Sequence, residues 1–137
     1  MTTQQGRILF VDDEPWGTEA LRAKLEGRGF ICQTASDMTS GFKLMAEENF
    51  DVIVTDIMMP AGSDFPNIDS SETGIEFTKM IRQRYPNVYI ICLSVIGDQQ
   101  IINSLKKKGI LYLRKGETSL DVASKLIESK VRGITSF

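Results

Sequence analysis

Four apolar runs in this chain end in side chains that could do chemistry together. "ILFV" stops at Asp12 and Asp13, with Glu14 behind them; "VIVT" stops at Asp56; "YIICL" leads into Ser94; "LYLR" leads into Lys115. Adjacent carboxylates at the mouth of an apolar segment repel one another and resist losing water, so a cation is expected among them. Three carboxylates supply oxygen ligands for a hard divalent ion. Mg²⁺ suits such a set, because it accepts one or two carboxylates, keeps several waters and leaves room for phosphate oxygens. The charges of Asp12, Asp13 and Asp56 are balanced by one Mg²⁺ and the Lys115 ammonium. A phosphoryl group entering that crevice meets a cation, an ammonium and a hydroxyl donor, the parts that in-line phosphoryl transfer needs. Taken singly, an Asp after a strand is a cap or turn residue, Ser94 a loop hydroxyl and Lys115 a solvated charge. Only their convergence makes a site.

Convergence depends on the elements that carry them. Five apolar runs recur, at 7–11, 30–35, 51–55, 88–93 and 110–114. The first, third and fourth are almost continuously apolar, as strands covered on both faces must be. The second, with Gln33 and Thr34, and the fifth, with Arg114, read as edges. Amphipathic stretches alternate with the strands. Pro15 suits the first turn of a helix carrying Trp16, Ala20, Leu21 and Leu25 on one side and stopping at Gly27 and Gly29. Asp37 caps a second helix with Phe42, Met45 and Ala46 inward. Thr73 and Glu76 form a capping box for a third, which begins at about Gly74 and ends before Pro86. A fourth carries Ile101, Ile102 and Leu105 and ends at Gly109. Thr118 and Asp121 box a fifth that buries Val122, Ala123, Leu126 and Ile127. Strict alternation of strand and helix predicts an α/β fold, a doubly wound parallel sheet of five strands with helices on both faces. Ligands of such sheets bind beyond the carboxyl ends of the strands, where these polar residues fall.

The bulk numbers narrow the function further. A chain of 137 residues fits one domain, and 42% hydrophobic with 25% charged residues is ordinary for a globular one. A formal net charge of -2 argues against direct nucleic-acid binding. No apolar stretch approaches the roughly 18 residues of a membrane span, and "MTTQQGR" lacks a signal-peptide core, so a cytoplasmic location is expected. The absence of histidine excludes imidazole-based catalysis, imidazole zinc sites and a phosphohistidine on this chain. Cys32 and Cys92 lie inside apolar segments without C-x-x-C spacing and read as buried free thiols.

Residues "VDDEP", "VTDIMMP", Ser94 and "YLRKG", each at the end of the expected strand, resemble the response regulator receiver domain of two-component signalling (the CheY-like superfamily) over nearly the whole chain, 1–137. The resemblance implies a flavodoxin-like (βα)5 sheet of order 2-1-3-4-5. It implies that Asp56 accepts a phosphoryl group from a phosphohistidine on a sensor histidine kinase or histidine phosphotransfer protein. It further implies that Asp13, Asp56 and the Met58 carbonyl bind Mg²⁺ (or Mn²⁺ in its place), with Asp12 holding the metal through water. Ser94 then hydrogen-bonds the phosphoryl group, Lys115 pairs with its charge, and Tyr112 is the aromatic that turns inward when Ser94 moves. Met58 and Ile96, two residues after Asp56 and Ser94, take the positions that tune hydrolysis. Being apolar, they should exclude the attacking water and slow loss of the phosphoryl group.

Three departures from the family stand out: Val95 replaces a small residue and should narrow access to Asp56; Gly116 replaces the usual proline and should loosen Lys115; and the loop over 61–73 is about ten residues longer than usual. That loop is rich in Ser and Asp, with neither Lys nor Arg. It reads as a partner-selection element or as a loose insertion. Trp16, the only tryptophan, is expected to report on the site or to pack. Two rival functions remain. One is a degenerate receiver acting as a phosphorylation-independent interaction module. The other is a haloacid-dehalogenase-type phosphohydrolase, which the isolated Asp56 and the D-D-E order after strand one fit poorly.

Overall fold

The structure, a computed structural model, describes residues 6–14, 18–69, 73–95 and 98–132. Five strands, β1 (Arg7–Val11), β2 (Ile31–Ala35), β3 (Val52–Thr55), β4 (Tyr89–Ser94) and β5 (Leu111–Arg114), pair in parallel in the order β2-β1-β3-β4-β5. The interleaved helices are α1 (Glu19–Glu26), α2 (Met38–Glu47), α3 (Thr73–Arg84), α4 (Gln99–Lys107) and α5 (Leu120–Val131). This is the flavodoxin-like (βα)5 arrangement expected, with β2 and β5 at the edges.

Alternation within each strand divides the core into two layers. Leu9, Val11, Ile53, Ile90 and Cys92 face α2, α3 and α4, while Ile8, Phe10, Val52, Val54 and Ile91 face α1 and α5. Because both faces are covered, the central strands need apolar residues at every position. This is why they read as continuous runs. Helices α1 and α4 end alike. Gly29 and Gly109 stand at φ 96 and 74, and the next residues, Phe30 and Ile110, donate back to the carbonyls of Leu25 and Leu105. Each apolar pair closes its helix onto the core, the C-terminal geometry that glycine makes cheap.

Several local expectations need correction. Ala20 and Ala46 are exposed, whereas Met38 and Gly41 join Phe42 and Met45 inside α2's buried face. The Thr73 hydroxyl donates to the Asp69 carbonyl at 3.3 Å and Glu76 lies 3.6 Å from Lys79, so these two do not form the capping box. Ser119, not Thr118, caps α5 by accepting from the Val122 N–H at 3.1 Å; the Thr118 N–H is spent on the preceding turn, on Arg114 O at 3.0 Å. That shift leaves Val122 50% exposed and Ser124 buried. Pro15, Trp16 and Ile96, and with Trp16 the expected reporter, lie outside the described residues; α1 begins at Glu19, after its N-cap Thr18.

The extended segment is docked over its described part. Thr39 at the start of α2 donates its N–H to Ala61 O (3.1 Å), and its hydroxyl accepts the Asp64 N–H (3.0 Å). The Phe65 ring lies 6.0 Å from that of Phe42, which meets Phe77 of α3 edge-on at 5.1 Å. Residues 61–69 therefore span α2 and α3 as a packed strut rather than a loose insertion.

Candidate functional site

Strand register brings the polar residues together. Val11 of β1 is level with Thr55 of β3, so Asp12 and Asp56, each one residue on, leave the sheet as neighbours. Backbone bonds extend the ladder past the strand ends: Asp56 N donates to Val11 O and Asp12 N to Ala35 O, both at 3.0 Å. On the other side Ser94 is level with Arg114, and the Lys115 N–H donates to Ser94 O at 2.8 Å. Asp12, Asp56, Ser94 and Lys115, from four strands, thus lie at the same end of the sheet.

The centre of the site is a bridge. Lys115 Nζ lies 2.7 Å from Asp12 Oδ2 and 3.1 Å from Asp56 Oδ2. All three side chains are largely buried, at 17%, 5% and 11% exposure. Burial alone would lower the Lys115 pKa; the hydrogen bond to Asp12 and the charges of Asp56 and Asp12 outweigh it and hold the pKa above its ordinary value. The remaining carboxylate oxygens are also oriented. Asp12 Oδ1 accepts the Glu14 N–H at 2.9 Å, and Asp56 Oδ1 accepts the Ile57 N–H at 2.6 Å and the Met58 N–H at 3.4 Å. Two buried carboxylates against one ammonium leave the pocket net negative. Such a charge balance leaves room for a further cation.

The other predicted residues surround this bridge unequally. Ser94 is fully buried. Asp13 stands exposed at the rim, and among the described residues no three His, Cys, Asp or Glu side chains are gathered to hold a metal between them. An octahedral hard ion needs only one or two carboxylates and completes its shell with waters, so the donors present still fit one. Met58 is 49% exposed, and Val95 at 66% is not packed across the crevice as its size suggested. Gly116 has φ 85, a value closed to proline, in the turn that returns Glu117 N to Arg114 O at 3.2 Å. Glycine therefore supplies a backbone conformation that the family's usual proline could not adopt. Tyr112 packs against the α2–α4 core layer with its hydroxyl oxygen buried and without a hydrogen-bond partner among the described residues; burial raises its pKa.

Two positions to which the motifs assign no role also touch the Asp56 backbone and its neighbour. Thr55 donates its hydroxyl to Asp56 O at 2.9 Å, and Gly74 donates its N–H to Ile57 O at 2.8 Å. The signal for Gly74 was present: a glycine just inside an amphipathic helix, where the residue is disfavoured unless something approaches closely. A cavity of about 560 Å³ opens at the opposite end of the sheet, between Asp51, Arg84, Tyr89 and Lys130, away from this chemistry.

Comparison with known proteins agrees with the geometry. Residues 8–126 match the family described as the response regulator receiver domain. The hydrogenase transcriptional regulatory protein HoxA of Cupriavidus necator is 32% identical over 80% of this chain and 21% of its own. The DNA-binding transcriptional regulator NtrC of Escherichia coli is 27% identical over 93% of this chain and 25% of its own. The chain thus spans about a fifth to a quarter of the length of these relatives. The solution structure of the beryllofluoride-activated NtrC4 receiver domain dimer superposes with a TM-score of 0.77 at 27% identity, over 94% of this chain and 98% of that one.

Proposed function

This chain belongs to the response regulator receiver family, and we propose that residues 1–137 act as a single phosphoacceptor module of a two-component phosphorelay. Asp56 takes the phosphoryl group of a phosphohistidine on a sensor histidine kinase or histidine phosphotransfer protein in the cytoplasm. The observation that carries this reading is the buried Asp12–Lys115–Asp56 bridge at the strand ends.

In the transfer, a carboxylate oxygen of Asp56 forms the new P–O bond as the P–N bond to the donor imidazole breaks, and the electron pair leaves with that nitrogen. Bound Mg²⁺, or Mn²⁺ in its place, supplies positive charge to the phosphoryl oxygens. Asp12, Asp13, Asp56 and the Met58 carbonyl are the residues to hold it. Lys115 turns from bridging two carboxylates to pairing with the phosphoryl group. Because the ammonium is already desolvated and held in place, little reorganisation is needed. The Ser94 hydroxyl donates to a phosphoryl oxygen, and Tyr112, whose ring already packs inward, completes the switch that a partner reads. Met58, with Ile96, offers no group able to orient an attacking water, which makes the phosphorylated form long-lived. The module catalyses its own phosphorylation and dephosphorylation and no other turnover.

The test is mass spectrometry of the intact protein after incubation with a small phosphodonor and Mg²⁺. One phosphoryl adduct is expected, lost in Asp56→Asn and in EDTA. An adduct that persists in Asp56→Asn removes the assignment. Lack of any adduct in the folded wild type, with a small donor and with a kinase, makes the chain an interaction module instead.

A further inference from the structure

The peptide unit between Asp56 and Ile57 is held from both sides. Its N–H donates to Asp56 Oδ1 at 2.6 Å, so the tilt of this one plane sets where that carboxylate oxygen is held. Its carbonyl accepts the Thr55 hydroxyl at 2.9 Å. Against the same carbonyl lies the first turn of α3, at Gly74. A Cβ added to Gly74 would stand 2.5 Å from Asp56 O, 2.3 Å from Ile57 Cα and 2.9 Å from Ile57 O. Real side chains essentially never approach so closely, and the obstructing atoms are backbone, which cannot swing aside. The Gly74 N–H meanwhile donates to Ile57 O at 2.8 Å, pinning the next peptide too.

We infer that Gly74 and Thr55 are positioning residues for the phosphoacceptor: together they fix the Asp56–Ile57 peptide plane, and through its N–H they aim the Asp56 carboxylate. The step in which this matters rests on Asp56 being the phosphoacceptor; the geometry of the clamp does not. Misplacing a reacting group by about 1 Å can cost roughly a hundredfold in rate. A Cβ at Gly74 demands a displacement of that size from either the helix turn or the peptide. Loss of the Thr55 hydroxyl demands none, so its effect should be smaller and in the same direction.

A matched control exists in the same molecule. Gly41 is also buried near the start of a helix, but its added Cβ would meet a side-chain ring atom of Phe77 at 3.0 Å rather than the backbone beside Asp56. Gly74→Ala, Thr55→Val and Gly41→Ala are compared at a temperature where circular dichroism shows each folded. The first readout is the ¹⁵N–¹H shift of the Ile57 amide, without metal or donor. The second is the initial rate of labelling by a small phosphodonor with Mg²⁺, resolved into donor KM and maximal rate. Gly74→Ala should move the Ile57 amide and lower the maximal rate by roughly tenfold or more, with KM little changed. Thr55→Val should do both to a lesser degree, and Gly41→Ala neither. An Ile57 amide unmoved in Gly74→Ala and Thr55→Val, or an equal rate loss in Gly41→Ala, would overturn the inference. Should Gly74→Ala fail to fold, the Ile57 shift in Thr55→Val decides. If wild type takes no phosphoryl group, the phosphoacceptor reading fails while the amide shifts still judge the clamp.

Discussion

At the scale of single residues, Lys115 has a structural task apart from its proposed pairing with a phosphoryl group. In the structure its ammonium neutralises two buried carboxylates, Asp12 and Asp56, at 2.7 and 3.1 Å. Removing one member of a buried ionic cluster leaves uncompensated charge, which typically costs about 3–5 kcal/mol. Lys115→Met should therefore lower the unfolding free energy by about that amount in metal-free buffer, measured by urea titration. Lys115→Met with Asp56→Asn should recover much of the loss, because one of the opposed carboxylates is gone. A divalent cation that fits the site should recover part of it as well, since a ligand of the folded state alone stabilises it by mass action. Equal stability of Lys115→Met and wild type would mean that the bridge contributes nothing net.

The element with most to explain is the extended β3–α3 connection. Long insertions are often loose, yet the described part of this one is fastened at Thr39, buried at Ala61 and packed through Phe65 against Phe42. Gly62 makes the first fastening feasible: φ is 104, and an added Cβ would come within 2.4 Å of Thr39 Oγ1. At its far end the Asp69 carbonyl takes the Thr73 hydroxyl, so strut and α3 start as one piece. Thr39→Val removes one side-chain hydrogen bond and should cost about 1 kcal/mol globally. Phe65→Ala should cost more, about 2–4 kcal/mol, because a partly buried ring leaves a gap beside Phe42. In both variants limited proteolysis should cut within 62–69 sooner than in wild type, with the other loops unaffected. Cleavage unchanged in both would show that these contacts do not hold the segment.

At the scale of the whole molecule, the alkaline limit of stability is written in groups whose pKa is raised on folding. Burial pushes the Cys92 thiol from 9.0 up to about 12, with the Asp56 charge adding to it, and pushes Cys32 up to about 11. Tyr112, chiefly by burial, and Lys115, by its carboxylates against burial, are also held above their ordinary values of 10.0 and 10.5. All four share one sign. Each contributes stability that is fully present below its unfolded pKa and is lost as pH rises through the folded one. The part of the unfolding free energy that these four groups carry should therefore be level from neutral pH to about pH 9 and fall beyond it, by at most about 1.4 kcal/mol per pH unit for each group. Cys92 acts over the widest window, 9 to about 12. Urea titrations of Cys92→Ala should start lower, because of the space left, but decline less steeply across that range. Parallel curves for the two proteins would show that the thiol does not titrate with unfolding.

Sequence alone determined the fold class, the five strands and which polar side chains follow them. These are properties of local pattern: unbroken apolar runs mark strands covered on both faces, and acids, a hydroxyl and a lysine after such runs mark the ligand edge of a parallel sheet. Helix faces were legible less well. Ala20 and Ala46 read as inward because alanine suits either face, and Thr118 reads as the cap that Ser119 provides one residue later. Tertiary structure decided what depends on atoms distant in sequence meeting. It set Lys115 on both Asp12 and Asp56, left Asp13 at the rim, and gave Gly116 a positive φ that proline could not adopt. It turned the 61–69 segment from an apparent insertion into a strut, and pressed Gly74 against the Asp56 backbone. A side chain's chemistry belongs to the residue, but its distance to another is set by strand register and helix packing, which no local window of sequence contains.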